Sequence, residues 1–194
     1  MIDGPLTTAE QFLEQRYEMP EGGQWSELLD GKTHHLQPPD PDHGNAVFNL
    51  SKALADYIQQ TKIGYACFDL GLHIAKQPDS VLFPAACIFT DGPLFAESDK
   101  ELTETCPAVI VEIKSTSDRA ALIKSRVKQY HEWGVESVWV MNPKGESVEL
   151  HTSRSQVQSF QGTDEFAGDP ILEEFKVVVL DLYKEPDWWA NKPS

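Results

Sequence analysis

Glu112 and Lys114 stand two positions apart in Val109-Ile110-Val111-Glu112-Ile113-Lys114-Ser115, a run that is otherwise apolar until its last residue. Alternate side chains of an extended strand share a face, so both charges project one way and Val109, Val111 and Ile113 the other. Burying such charges is costly unless they pair or bind something. An ion pair is the plainest reading of an E-x-K strand. The chemical reading is metal-dependent phosphodiester hydrolysis. There a carboxylate holds a divalent cation, and a lysine steadies the attacking water and the transition-state charge.

The surrounding pattern supplies elements to hold that strand. Thr8 and Gln11 have the spacing of a capping box and open a short helix to about Arg16. Trp25 to Leu29 and Lys32 to Leu36 flank Asp30-Gly31, a hairpin signal. The proline-rich run Gln37 to Asp42 reads as loop. From Asn45 a helix follows, with Val47, Leu50, Leu54, Tyr57 and Ile58 as its apolar stripe. The period then switches to two from Tyr65 to Ile74, which predicts one strand. Val81 to Phe89 predicts a second strand, bent at Pro84, and Asp91 to Thr105 an acidic loop. Pro107 to Ser115 is the central strand. Asp118 to Trp133 is helical, with Ile123, Val127 and Tyr130 inward, and Gly134 stops it. Ser137 to Met141, Val148 to Thr152 and Lys176 to Leu182 are later strands. Strand–helix–strand from Pro107 to Met141 predicts a parallel crossover. The order implies an α/β fold on the α+β border, a mixed central sheet flanked by helices.

The 194 residues suit a single domain, 1–194, with its core at about 9–183 and a tail over 184–194. No apolar run approaches a membrane span, and Met1 to Pro5 lacks the basic and apolar start of a signal peptide, so a cytoplasmic location is expected. Cys67, Cys87 and Cys106 are odd in number and widely spaced, which fits reduced thiols rather than a disulfide frame or zinc site. A net charge of −15 argues against a broad basic grip on nucleic acid, although a local basic cleft remains open.

Several segments together resemble one family. Pro107 to Ser115 is similar to the P-x-hydrophobic-V-x-E-x-x-S strand of the Uma-two family, a branch of the PD-(D/E)XK restriction-endonuclease-like superfamily. Ser26-Glu27-Leu28-Leu29-Asp30-Gly31 resembles its Y-E-L-I-D-G hairpin, and Pro39-Asp40-Pro41-Asp42-His43 its P-S-P-x-H loop. Tyr130-x-x-x-Gly134-Val135, continuing to Asn142-Pro143, resembles its Y-x-x-x-G-V segment and the D-P that closes it. The likeness spans roughly residues 9–183. It implies a restriction-endonuclease-like fold, a DNA substrate and a Mg²⁺ or Mn²⁺ cofactor. Glu112 is then a metal ligand, Lys114 the charge-stabilising cation and Glu27 a further acid.

The family's P-D-V-x-F strand carries a metal-binding Asp, and Ala85 stands at that position. An alanine cannot ligate a cation. Leu122 also replaces an acidic residue, Arg126 a lysine, and Asn142 an Asp. Asp69 is the better substitute ligand, with Asp91 as another. Asp79, in Pro78-Asp79, reads as turn chemistry.

Lys124, Arg126 and Lys128, with Arg119, make the helix after the central strand locally basic, either a phosphate-facing patch or a solvated helix surface. His43 joins the nucleic-acid candidates through its family position. His34, His35, Asp40, Asp42 and His43 could form a metal cluster, but no regular spacing organises them and a solvated loop is the simpler reading. Trp188-Trp189 could mark an interface. The expected function is a metal-dependent DNA endonuclease degraded by Ala85. The alternative is a non-catalytic protein of the same fold that binds nucleic acid or a protein partner, and a homodimer is the second partner expectation beside DNA.

Overall fold

The structure, a computed structural model, describes residues 6–153 and 157–186. Trp188 and Trp189 lie outside the described residues. The chain runs through α1 (Ala9–Arg16), β1 (Ser26–Leu29), β2 (Lys32–His35), α2 (Pro41–Thr61), β3 (Tyr65–Cys67), β4 (Gly71–Ala75), β5 (Ser80–Leu82) and β6 (Ala86–Phe89). It continues through β7 (Leu102–Thr103), β8 (Val109–Ile113), α3 (Ser117–Trp133), β9 (Ser137–Asn142), β10 (Ser147–Thr152), β11 (Val157–Gln161), β12 (Glu165–Ala167) and β13 (Lys176–Val178). A mixed six-stranded sheet, β11-β10-β9-β8-β6-β3, forms the centre, and a five-stranded sheet, β2-β1-β5-β4-β7, packs beside it. This is the expected α/β architecture with a mixed sheet and flanking helices.

The crossover from β8 through α3 to β9 is parallel, with Glu112 level with Val140. Val109, Val111 and Ile113 face α2, where they join Leu50, Leu54, Trp139 and Met141 in one apolar cluster. Ile110 faces the other way, among Ile123, Val127 and Tyr130 of α3. All five β8 residues are buried, so the single charge among them, Glu112, must find its partners inside the protein. Trp139 on the α2 side is held edge-on by Phe166 at 4.8 Å and stacked on Phe175 at 5.2 Å.

Two predicted strands divide between the sheets. Tyr65 to Ile74 becomes β3 in the six-stranded sheet and β4 in the five-stranded one, because Asp69 takes a left-handed φ of 55° between them. Leu70 and Leu72 are buried, and on β3 the buried side chains are Tyr65 and Cys67, on either side of half-buried Ala66. The segment from Val81 to Phe89 is likewise cut into β5 and β6, with Pro84 between them and unable to donate to a ladder. These two crossings between sheets fall beside Asp69 and Ala85, and the seam opens there as a cleft. Helix α2 also starts earlier than the apolar stripe implies. Asp40 caps it by accepting from the His43 amide at 3.2 Å, and Pro41 occupies the first turn, where its missing N–H costs nothing. The late strand is shorter than expected, since β13 gives way to a 3₁₀ turn at Val179–Leu182.

Candidate functional site

The cleft at the seam has a volume of about 480 Å³. Glu27 enters it from the five-stranded sheet, Glu112 from β8, Arg119 from α3, His43 from α2, and Asp69 and Ala85 from the inter-sheet crossings. Glu27 is 2% exposed, Glu112 3% and Arg126 2%. Two carboxylates that deep must be answered by charge or by protons.

Arg126 answers both. Its Nη1 donates to Glu112 Oε1 at 2.9 Å and its Nη2 to Glu27 Oε2. The Tyr130 hydroxyl donates to the same Glu112 oxygen at 2.6 Å, and the Phe83 amide donates to Glu27 Oε1 at 3.1 Å. Helical spacing explains why α3 supplies both groups, since Arg126 and Tyr130 are four residues apart on its inner face. Burial opposes the charge of Arg126, but Glu112 and Glu27 more than offset it and raise its pKa. Burial raises the pKa of Glu27 against the pull of Arg126, and burial with Glu112 beside it raises that of Tyr130.

Arg126 was expected beside Lys124 and Lys128 on a basic surface. Only the two lysines are exposed, and Lys128 pairs with Glu132 at 3.3 Å. Arg126 cannot reach DNA from its buried position, so that expectation is corrected. Its inward turn follows from the helix period, which puts Arg126 on the stripe of Ile123, Val127 and Tyr130.

Lys114 departs from expectation too. It lies just past the end of β8, where its amide donates to Met141 O at 2.8 Å, and its Nζ donates to Glu149 Oε1 on β10 at 3.1 Å. It is not among the residues lining the cleft. Glu149 is shared with His151 at 3.0 Å. This half-exposed pair is of a kind worth at most about 1 kcal/mol. Lys114→Ala is therefore expected to change urea-unfolding stability by less than about 1 kcal/mol.

Asp69 lines the cleft but is largely exposed and lies 3.7 Å from Arg16. Asp79 binds the Ala9 amide at 2.7 Å and the Gln77 amide at 3.3 Å, the turn role read from its sequence. His34 and His35 sit exposed on β2, apart from the start of α2 that carries His43. Among the described residues no group of three or more His, Cys, Asp or Glu side chains is placed to hold a metal ion.

The residues also fit a Mg²⁺ or Mn²⁺ ion poorly on chemical grounds. The two deepest carboxylates already share a guanidinium, and Ala85 adds no oxygen.

His43 faces Ser115, with Nδ1 and Oγ 3.2 Å apart. Burial first and Arg119 second push its pKa down to about 4, from an ordinary 6.5. Between those values the unfolded chain holds a proton that the folded one refuses. The contribution of neutral His43 is then complete above about pH 6.5 and is lost as pH falls toward 4. Urea midpoints should drop over this range in the native protein, and His43→Asn should flatten that limb.

One residue that sequence reasoning underweighted is Arg119. It is 6% exposed, lines the cleft and lies 5.4 Å over the Trp25 ring. Its place in the first turn of α3, directly after the central strand, was the available signal.

A mixed sheet crossed by β8, α3 and β9, with acidic residues gathered at the seam, defines a nuclease-type fold. The chain belongs to the Uma2 family, described as "Putative restriction endonuclease", which matches residues 9–182. Its structure is similar to that of "a putative nuclease belonging to DUF820" from Anabaena variabilis ATCC 29413. The TM-score is 0.74 at 16% identity, over 91% of this chain and 97% of the other. No curated protein matches the sequence. Among the described residues, no helix is long and apolar enough to cross a membrane.

Proposed function

We propose that this chain binds nucleic acid on a nuclease scaffold whose metal-dependent cleavage has been lost. The observation that carries the reading is the Glu27–Arg126–Glu112 bridge. A metal-dependent nuclease needs its carboxylates free to hold a cation. Here a resident guanidinium engages both, and its charge stays on across the physiological pH range. Ala85, at the position where the family resemblance places a ligand Asp, supports the same reading. Family membership supports nucleic acid as the partner, and exposed Lys124 and Lys128 are candidates for phosphate contact.

An active endonuclease using Mg²⁺ or Mn²⁺ is the second reading. It is favoured by Glu27, Glu112 and Asp69 lining one cleft. A plasmid incubated with the native protein and Mn²⁺ separates the two. The first reading expects intact supercoiled DNA, and the second expects nicks that disappear in Glu112→Gln.

A further inference from the structure

Arg119 is the second guanidinium at the cleft, and the Glu27–Arg126–Glu112 bridge leaves its donor edge unengaged. Its Nε and Nη2 are buried and have no hydrogen-bond partner among the described residues. These two nitrogens lie on one edge of the guanidinium. That edge offers two parallel N–H donors at the spacing of two oxygens of a phosphate or carboxylate. Buried donors left unpaired are costly, so a side chain held this way is set for an acceptor that enters the cleft. Asp118 does not serve, because it accepts from Thr116 and from the Gln37 and Arg119 amides instead. Arg119 also lies in the first turn of a 17-residue helix, whose positive end adds to the pull on an anion.

The rest of the cleft specifies more than an anion. Trp25, Phe48, Phe68 and Phe83 line it. Phe48 is 42% exposed and Phe68 38%, so two of these four aromatic side chains are open to whatever enters the cleft. Lys52 stands over the Phe48 ring at 5.5 Å. Arg126 is taken by Glu27 and Glu112, so the donor fork of the cleft left without an acceptor among the described residues is that of Arg119, which fits one phosphate or carboxylate group. A phosphodiester carries one negative charge, and its attached base supplies a flat ring. A concavity of about 480 Å³ suits one unstacked nucleotide rather than a closed duplex.

We propose that this cleft binds one nucleotide of a single strand, with its phosphodiester on the Nε–Nη2 edge of Arg119 and its base against Phe48 and Phe68. The proposal rests on the reading that the carboxylate pair holds Arg126 rather than a metal. Recognition therefore needs no divalent ion.

Fluorescence anisotropy with a short labelled oligothymidylate in EDTA tests it on the full chain. The strand should bind more tightly than a duplex of equal length. Arg119→Gln should weaken binding at least about ten-fold and reduce the salt slope by about one. Phe48→Ala, at an exposed position that the fold does not need, should weaken it about ten-fold through lost stacking. Folding of both variants is checked by circular dichroism. Equal binding of strand and duplex overturns the proposal, and so does native affinity in folded Phe48→Ala. Equal competition by thymidine 5′-monophosphate overturns the strand in favour of the free nucleotide. Displacement by benzoate but not by nucleotides overturns the nucleotide altogether. Since every arm runs in EDTA, cleavage seen on adding Mn²⁺ bears on the preceding reading alone.

Discussion

Arg126→Ala is expected to destabilise the protein by about 3–5 kcal/mol, the usual cost of removing one partner from a buried ion pair. Glu27 and Glu112 would then lie buried with no guanidinium between them. One of them would have to take up a proton or draw in water. Against a typical domain stability of about 5–15 kcal/mol this is a large share. Urea unfolding followed by tryptophan fluorescence measures it. The control is the triple variant Glu27→Gln, Arg126→Met, Glu112→Gln, which removes all three charges together. It should recover much of the loss, because uncharged groups of similar size cost far less to bury. Arg126→Lys should fall between, since a single ammonium cannot fork to two carboxylates as a guanidinium does. A loss below about 1 kcal/mol for Arg126→Ala would sink the bridge as the organiser of the site.

The second large effect is a gain. The double variant Ala85→Asp, Arg126→Lys adds a carboxylate to the cleft and loosens the hold on Glu27 and Glu112. Divalent sites are tuned over many orders of magnitude by the charge and number of their ligands. The variant should therefore bind Mn²⁺ about 100-fold more tightly than the native protein, measured by electron paramagnetic resonance of the free ion. Nicking of plasmid DNA should appear with it. The bound ion would supply Lewis acidity, and the chain's part would be to orient it. Ala85→Asp alone should gain less, because Arg126 would still engage the other two carboxylates. Tight stoichiometric Mn²⁺ binding by the native chain, lost in Glu112→Gln, would refute the proposed loss of cleavage. That result would restore the metal roles first read for Glu112 and Asp69.

Both experiments turn on a distinction between local and long-range information. The spacing of Val109 to Ser115 was enough to put Glu112 on a central strand, on the face opposite Val109, Val111 and Ile113. The stripe of Ile123, Val127 and Tyr130 likewise defined the inner face of α3, and Asp30-Gly31 the β1–β2 hairpin. Each depends on the strand or helix period, or on turn chemistry, which act over a few residues. The same spacing could not show that Lys114 leaves the site, because its partner Glu149 comes from a later strand, 35 positions on.

Nor could it show that the two long β patterns split between two sheets, since alternation is the same whichever sheet a strand joins. That split makes the cleft, and it sets Ala85 and Asp69 at its wall.

The role of Arg126 was the furthest from reach. Its composition says cation on a basic helix, and its register says inward, but Glu27 lies 99 positions away on another sheet. Only the packing of the five-stranded sheet against α3 brings the two together. The sequence by itself determined where the carboxylate of β8 stands and which helix face looks at it. The tertiary structure decided what answers that carboxylate, an arginine rather than a lysine beside a metal. A buried charge takes its character from whatever long-range packing places against it.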